Sequence, residues 1–213
     1  MSILINEIYY SIQGESSHLG RPCIFIRLTY CNLRCTYCDT EYAFYEGSKM
    51  DIDEIIKHIK QWDCKLVEVT GGEPLFQKEC IDLLNKLKEL KYEVMLETSG
   101  SLPIKNVPKD VIKIVDFKCP SSGMEKKNLW EIVNDLQLHD EIKFVIGDRQ
   151  DFDWAKNKIE QYNLDKKCII LMSPIFGMIE PKIIVKWILK DNLPVRMQLQ
   201  MHKIIWKPEA KGV

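Results

Sequence analysis

The stretch CIFIRLTYCNLRCTYCDT, residues 23–40, joins an apolar, β-branched run to three closely spaced cysteines, Cys31, Cys35 and Cys38. The run predicts a buried strand, and the cysteines follow at its carboxyl end. Three thiols without a local fourth ligand do not match a structural zinc site, which four ligands close. On a cubic [4Fe–4S] cluster they leave one iron open, so the triplet predicts a cluster site at which chemistry can occur.

The cysteines also allow interpretations that involve no iron–sulfur cluster. Cys23, Cys64, Cys80 and Cys168 stand among Ile, Leu and Val, as core thiols do, and are interpreted as packing residues. The triplet itself is open to chance clustering, or to zinc with a remote fourth ligand such as Cys64 or Cys119. A disulfide framework is not expected, because a chain of this length can bury a core without covalent bridges.

Further short β-branched runs alternate with helical patterns along the chain. The predicted strands are residues 23–29, 66–70, 93–97, 111–117, 141–146, 167–172 and 194–199, and the predicted helices are 51–62, 76–90, 150–162 and 181–189. Strand, helix, strand in alternation indicates parallel βαβ units. A complete eightfold barrel takes about 250 residues. The pattern therefore predicts an α/β fold: a single domain, residues 1–213, forming an incomplete, laterally open TIM-like barrel with mostly parallel strands.

Composition excludes several partners. The formal net charge is −1, and lysines alternate with acidic residues, so we expect no nucleic-acid surface. The first residues carry no cationic lead and no long apolar segment, which predicts neither a signal peptide nor a membrane span. Exposed thiols suit a reducing compartment, so we expect a cytoplasmic protein.

A second motif, EVTGGEPL at residues 68–75, ends the next predicted strand. Gly71 and Gly72 would let backbone approach a ligand closely, although a glycine pair also suits a tight turn before a helix. In a parallel sheet the ends of successive strands meet at one edge, so we expect this motif beside the cysteine triplet.

Together the two motifs resemble the radical S-adenosylmethionine superfamily, in which S-adenosylmethionine binds the open iron and yields a 5′-deoxyadenosyl radical. The flanking stretches resemble the 7-carboxy-7-deazaguanine synthase family: EIYYSIQGE at 7–15, residues 20–29, CDT at 38–40, PSSG at 120–123 and QMHKIIW at 200–206. The resemblance spans nearly the whole chain. It implies conversion of 6-carboxy-5,6,7,8-tetrahydropterin to 7-carboxy-7-deazaguanine, with loss of ammonia, in queuosine biosynthesis.

The resemblance also implies roles for individual residues. Substrate contacts are implied at Ile12, Gln13, Gly14, Glu15, Arg27, Thr70, His202 and Pro208. Contacts with S-adenosylmethionine are implied at Tyr37, Cys38, Asp39, Gly72, Ser121, Ser122 and Gly123, and a Mg²⁺ ligand at Thr40. The N-terminal hairpin, residues 1–22, and the C-terminal segment, residues 194–213, would complete the substrate site. No side chain is expected to act as a nucleophile or catalytic acid.

These roles agree with the chemistry of the side chains. A pterin presents a guanine-like edge that a carboxylate and an amide, such as Glu15 and Gln13, can bind. Arg27 offers a planar fork to the substrate carboxylate, and the Thr40 hydroxyl is a hard oxygen ligand that suits Mg²⁺.

Each role has a structural alternative. Residues 13–15 could form a hairpin turn, and Arg27 could face solvent by strand alternation. His202 could be an edge or core residue of a C-terminal strand, and Thr40 a helix N-cap ahead of residues 41–44. Met172 and Met178 are expected in the core.

The resemblance further implies a one-electron donor, such as flavodoxin or ferredoxin, and a homodimer. Two other functions stay open on the sequence. One is a radical S-adenosylmethionine activase that installs a glycyl radical, and the other is a zinc-bearing binding module.

Overall fold

A computed structural model describes residues 2–213, which form a nine-stranded sheet with helices packed against it. The strands are β1 Ser2–Ile12, β2 Pro22–Leu28, β3 Ser48–Asp51, β4 Leu66–Gly71, β5 Glu93–Thr98, β6 Ile112–Phe117, β7 Glu141–Ile146, β8 Ile169–Pro174 and β9 Arg196–Met197. The helices are α1 Ile52–Ile59, α2 Cys80–Glu89, α3 Arg149–Tyr162, α4 Pro181–Asp191 and α5 His202–Ile205.

The sheet has the order β3-β1-β2-β4-β5-β6-β7-β8-β9, and neighbours from β2 to β9 run parallel. Its two edge strands, β3 and β9, do not pair with each other in the described chain, so the barrel stays open. This confirms the predicted α/β fold with a laterally open barrel. β1 and β3 are antiparallel additions at one edge, which the alternating pattern did not predict as strands.

Helices α1, α3 and α4 begin within one residue of their predicted starts, whereas α2 begins at Cys80 and not at residue 76, because Pro74–Phe76 forms a separate 3₁₀ turn. The Asp51 side chain accepts from the Glu54 N–H, and the Glu54 side chain accepts from the Asp51 N–H, which forms the predicted capping box of α1. Pro181 occupies the first turn of α4, where its missing N–H costs nothing. None of the helices in residues 2–213 combines the length and apolar character needed to cross a bilayer.

The core lies between the strands and the helices, where aliphatic side chains of both are buried. Met172 on β8 is fully buried, as predicted. The prediction for Met178 is wrong: this side chain is 65% exposed, because it lies in the turn that precedes α4.

The C-terminal segment differs from the sequence prediction. The strand expected at 194–199 contracts to β9, and His202 opens the short helix α5 instead of lying in a strand. The side chains of Gln198 and Gln200 turn toward the barrel and donate to Glu15. The Gln198 N–H still donates to the Met172 carbonyl of β8, so the chain leaves β8 only after Gln198.

The loop between β1 and β2, residues 13–21, folds into the amino-terminal end of the barrel. Gln13 exchanges backbone hydrogen bonds with Gly20 and Arg21, and Ser17 donates to the buried carboxylate of Glu141 at the start of β7. His18 lies 3.3 Å from Glu93 at the start of β5. The loop thus closes the base of the barrel and leaves its upper end open.

Candidate active site at the carboxyl ends of the strands

Strand register brings the two sequence motifs together. In the parallel pair β2–β4, Leu28 lies opposite Gly71, so the loops that follow both strands begin side by side. A Cβ on Gly72 would overlap the carbonyl oxygen of Tyr30 and lie 2.8 Å from Cβ of Cys31. Glycine is therefore required here, because it lets the second loop pass under the loop that carries the cysteines.

A cavity of about 730 Å³ opens between these loops and the barrel interior. It is lined by most of the residues that the sequence singled out: Ile12, Gln13, Gly14, Glu15, Arg27, Cys31, Cys35, Tyr37, Cys38, Asp39, Thr40, Thr70, Gly72, His202 and Pro208. Ser121, Ser122 and Gly123 do not line it. They lie behind the cysteine loop, where Thr36 donates to the Ser121 and Ser122 carbonyls.

The three cysteines of the loop are free and half-buried. Burial raises the pKa of all three thiols, that of Cys35 to about 11. The Leu33 N–H donates to Sγ of Cys31 at 3.4 Å, and the Thr40 N–H acts on Cys38 in the same way. Backbone donors aimed at sulfur stabilise the thiolate form that a metal cluster requires.

The donor set fits a cluster of several irons better than a single ion. Within residues 2–213 no group of three or more His, Cys, Asp or Glu side chains converges on one metal position. A cubane needs no such convergence, because each sulfur binds a different iron. Cys64, one of the suggested fourth zinc ligands, lies just before β4, at the opposite end of the strand from the cavity, where its Sγ donates to the Pro22 carbonyl. The zinc-module interpretation is therefore not favoured.

The glutamate of the second motif serves to hold the loops. Glu73 is fully buried, and its carboxylate accepts from the hydroxyls of Thr98 and Ser99 and from the N–H groups of Ser99 and Leu75. The Ser99 hydroxyl is also hydrogen-bonded to the Ser101 hydroxyl, which accepts from the Asn32 side chain in the cysteine loop. Glu73 thus fixes the glycine loop and the end of β5 relative to the cysteines.

Charged side chains on the inner faces of the strands form the cavity wall. Glu68, Glu97, Asp116 and Lys143 lie within β4, β5, β6 and β7, and all line the cavity. These four residues were not predicted as site residues, since period-two alternation cannot distinguish the inside of an open barrel from its outside. The usable signal was a charge in the middle of an otherwise apolar strand.

Lys143 is the centre of this charge network. Its Nζ lies 2.8 Å from Glu15, 2.5 Å from Glu97 and 3.8 Å from Asp116. Burial acts to raise the pKa of Glu15, but the Lys143 ammonium and the hydrogen bonds it receives lower that pKa below its usual range. Glu15 therefore stays ionised, and Gln198 and Gln200 hold it in place.

Glu68 behaves in the opposite way. Burial and the neighbouring charge of Glu97 raise the pKa of Glu68 well above its usual range. Its Oε2 accepts a short hydrogen bond from the Gln13 amide, and Oε1 of Gln13 accepts from the Glu15 N–H. Gln13 is thereby held in one orientation between the Glu68 carboxyl group and the backbone N–H of Glu15.

Arg27 points into the cavity and not into solvent. Its side chain is 15% exposed; Nε donates to Glu7 at 2.7 Å, and a terminal nitrogen donates to the Tyr9 hydroxyl. Arg27 also lies opposite Thr70 in the sheet register. One terminal nitrogen of the guanidinium has no partner among the described residues and is available to a ligand.

Thr40 occupies the N-cap position of the 3₁₀ turn Glu41–Phe44, but its side chain makes no capping bond. Its hydroxyl donates instead to Asp39 at 2.8 Å. Burial opposes ionisation of Asp39, yet the Lys203 ammonium, 2.5 Å away, lowers the pKa of Asp39 strongly. The lone pairs of the Thr40 oxygen remain free on the cavity side.

Residues 13–15 are part of the cavity wall. A Cβ on Gly14 would overlap Nδ1 of His202 and lie 3.0 Å from its Cγ, so the imidazole packs directly on the Gly14 backbone. Burial lowers the pKa of His202. Beyond it, the tail from Pro208 to Val213 lies along the rim, and Nζ of Lys211 lies 4.0 Å from the centre of the Tyr42 ring.

Comparison with known proteins identifies relatives of the chain. The radical SAM superfamily matches residues 25–119. The 7-carboxy-7-deazaguanine synthase of Koribacter versatilis is 47% identical over 98% of this chain and 99% of its own, and that of Chlorobaculum tepidum is 46% identical over 98% and 96%. The crystal structure of QueE from Escherichia coli matches with a TM-score of 0.80 at 23% identity, covers 95% of both chains and shows the same fold.

Proposed function

The chain belongs to the 7-carboxy-7-deazaguanine synthase family of radical SAM proteins, and we propose that it converts 6-carboxy-5,6,7,8-tetrahydropterin to 7-carboxy-7-deazaguanine with loss of ammonia. This is a carbon–nitrogen lyase reaction of queuosine and 7-deazapurine biosynthesis. The observation that carries the proposal is the single cavity into which three half-buried cysteines, a guanidinium and a set of buried carboxylates all project.

Cys31, Cys35 and Cys38 would hold a [4Fe–4S] cluster, since they fit its donor set. The loop residues Tyr37 and Asp39, with Gly72 opposite, would contact S-adenosylmethionine. The hydroxyl of Tyr37 is buried and without a hydrogen-bond partner among the described residues, which supports a ligand or water there. When bound, cluster and cosubstrate supply a radical that abstracts hydrogen. Ser121, Ser122 and Gly123 would contribute by supporting the cysteine loop.

The wall of the cavity would orient the pterin. Glu15, kept ionised by Lys143, accepts hydrogen bonds from the guanine-like edge, and Gln13 supplies an adjacent amide. Arg27, opposite Thr70, binds the substrate carboxylate through its free nitrogen. The half-buried His202 adds a donor or acceptor from α5. Orientation of the reacting carbon in a dry cavity is the protein's main contribution to the rate.

We further propose that Thr40 holds a Mg²⁺ ion beside the substrate. The support is chemical: a hydroxyl oxygen with free lone pairs, next to an ionised Asp39, faces the cavity. Mg²⁺ accepts oxygen ligands and keeps several waters, so one protein ligand is sufficient. The ion would stabilise negative charge on the substrate carboxylate during rearrangement.

The remaining partners are proposed from the family. A one-electron donor such as flavodoxin or ferredoxin would reduce the cluster, and a homodimer would be the working form. A cytoplasmic location agrees with eight free cysteines in the described chain. Sedimentation velocity of the reconstituted protein tests the dimer directly.

The decisive experiment is product analysis. Protein reconstituted anaerobically with iron and sulfide is given 6-carboxytetrahydropterin, S-adenosylmethionine, Mg²⁺ and dithionite, and the products are identified by mass spectrometry. We expect a mass that corresponds to loss of ammonia. Cys31→Ala should abolish both product and cluster absorbance, whereas Cys64→Ala, a cysteine at the opposite end of its strand, should retain both.

Absence of the ammonia-loss product with a full cluster present would contradict the proposal. The activase interpretation is not favoured, because the relatives that match nearly the whole chain are named as synthases of a small molecule. A cavity closed at its base by residues 13–21 also suits a small substrate better than an inserted protein loop.

A further inference from the structure

A buried ion pair at the end of β6 faces the cysteines and has no part in the function proposed above. Nζ of Lys118 lies 2.7 Å from Oδ2 of Asp116, and the two side chains are 14% and 12% exposed. Lys118 follows the last residue of β6, and its backbone is clamped. The Asn128 side chain accepts from the Lys118 N–H and donates to the Lys118 carbonyl, both at 2.9 Å. The direction of the Lys118 side chain is therefore fixed by the fold.

Both members of the pair line the same cavity as the cysteines. The cysteine loop also lies against the segment that follows Lys118, because Thr36 donates from its hydroxyl to the Ser121 carbonyl and from its backbone N–H to the Ser122 carbonyl. Lys118 is thus a positive charge on the cavity wall beside the cysteine loop.

The charge of Lys118 is permanent at any working pH. Burial acts to lower the pKa of Lys118, but the Asp116 carboxylate at 2.7 Å raises it above its usual range. Asp116 is also held by Lys143 at 3.8 Å, while its other carboxylate oxygen is buried without a partner among the described residues. Two opposite charges therefore stand on the wall of the cavity that the three cysteines line, and both are largely shielded from solvent, where charges interact more strongly than in bulk water.

We propose that Lys118 and Asp116 set the reduction potential of the cluster held by Cys31, Cys35 and Cys38, Lys118 raising it and Asp116 lowering it. The inference rests on the proposed function and adds two positioning charges to it. One-electron reduction by an external donor adds one negative charge to the cluster and removes no atom. A nearby cation stabilises that added charge, and a nearby carboxylate destabilises it.

A purely structural role for the pair gives a different expectation. If Lys118 and Asp116 only join the end of β6 to its surroundings, removing either charge weakens the fold in the same way. Both variants would then leave the cluster potential unchanged or shift it in the same direction. Opposite shifts from the two halves of one ion pair are the signature of an electrostatic effect.

The test uses Lys118→Met and Asp116→Asn in protein reconstituted anaerobically with iron and sulfide. The midpoint potential is measured by electron paramagnetic resonance during titration with dithionite and mediators, without S-adenosylmethionine or substrate. We expect the midpoint of Lys118→Met to shift to lower potential and that of Asp116→Asn to higher potential. Lys118→Arg, which keeps the charge, should stay close to the unaltered protein.

A matched control is the ion pair of Lys156 and Asp191, 2.9 Å apart and outside the cavity. Lys156→Met should leave the midpoint unchanged. Equal shifts, shifts of one sign, or no shift in the two Lys118 and Asp116 variants would overturn the inference while the proposed function stands. Failure of the unaltered protein to assemble any iron–sulfur cluster would contradict both.

Discussion

The ammonium of Lys143 lies 2.8 Å from a carboxylate oxygen of Glu15, although the two residues are 128 positions apart in the chain. The bond joins β7 to the loop that closes the base of the barrel. The same nitrogen also holds Glu97, so one buried cation fixes three elements around the cavity. The site and the closure of the barrel therefore depend on the same contact.

Replacing Lys143 by methionine should destabilise the protein severely. The change leaves Glu15 and Glu97, whose side chains are 19% and 27% exposed, without their cation; breaking a fully buried pair costs about 3–5 kcal/mol, and this partial exposure lowers the expected cost to about 2–3 kcal/mol. The free energy of unfolding, measured by urea denaturation, should fall by that order. Lys186→Met, on the exposed face of α4, serves as the control and should change stability little. Equal stability of the two variants would contradict this view of Lys143.

The raised pKa of Glu68 predicts an unusual pH dependence of the protein's stability. Because its pKa is raised in the folded state, the unfolded chain releases the proton first as pH rises. Between the ordinary glutamate pKa and the raised pKa of the folded state, Glu68 is ionised only in the unfolded chain. The free energy of unfolding therefore falls as pH rises through this range. Glu68→Gln keeps an oxygen that accepts from the Gln13 amide and removes this loss.

The stability advantage of Glu68→Gln should accordingly grow with pH, by up to about 1.4 kcal/mol for each pH unit above 5. Thermal unfolding of both proteins between pH 5 and 8 measures it. Glu131→Gln, an exposed glutamate, should show no such trend. A constant difference across this range would mean that Glu68 is ionised in the folded protein.

Gly14 should be sensitive to the addition of a single methyl group. Its φ angle is not in the left-handed region, so alanine is permitted by the backbone, but the new Cβ would overlap the His202 imidazole. Displacing that ring by about an ångström should lower kcat/KM by roughly tenfold to a hundredfold. Steady-state kinetics with the pterin substrate measures the loss.

A double variant, Gly14→Ala with His202→Ala, tests whether the effect of Gly14→Ala arises from its overlap with the His202 ring. If Gly14→Ala acts by moving His202, then His202→Ala by itself should lower activity. Adding Gly14→Ala to that variant should lower activity little further. The two effects are then non-additive, as expected for residues in contact. Fully additive losses would show that Gly14 acts independently of His202.

Local signals explain why much of the site was predictable. The cysteine triplet and Gly71-Gly72 each follow a recognisable strand, and the parallel register of Leu28 with Gly71 is what a βαβ unit imposes. Adjacency of the two motifs therefore followed from the fold class alone.

The charged wall and the C-terminal segment depend on tertiary contacts and were not predictable. Asp116 and Lys143 lie opposite each other in register, yet alternation gives them the pattern of solvent-facing residues. Likewise the chain just before His202 is held by a bond from Gln200 to Glu15, 185 positions away. No local propensity records such a bond, so the expected strand was wrong.

Thr40 provides the last prediction, which concerns the metal. Its hydroxyl gives its proton to Asp39, so its oxygen presents lone pairs to the cavity, and Thr40→Ala removes that oxygen without disturbing a helix cap. We expect a higher Mg²⁺ concentration for half-maximal activity in Thr40→Ala. Thr40→Ser, which keeps the hydroxyl, should need about as much Mg²⁺ as the unaltered protein. Thr36→Ala is the matched control, because this threonine bonds the Ser121 carbonyl behind the loop and does not line the cavity. An unchanged Mg²⁺ requirement in Thr40→Ala would place the ion on other ligands, since a lost hard oxygen donor has to weaken the binding of a hard cation.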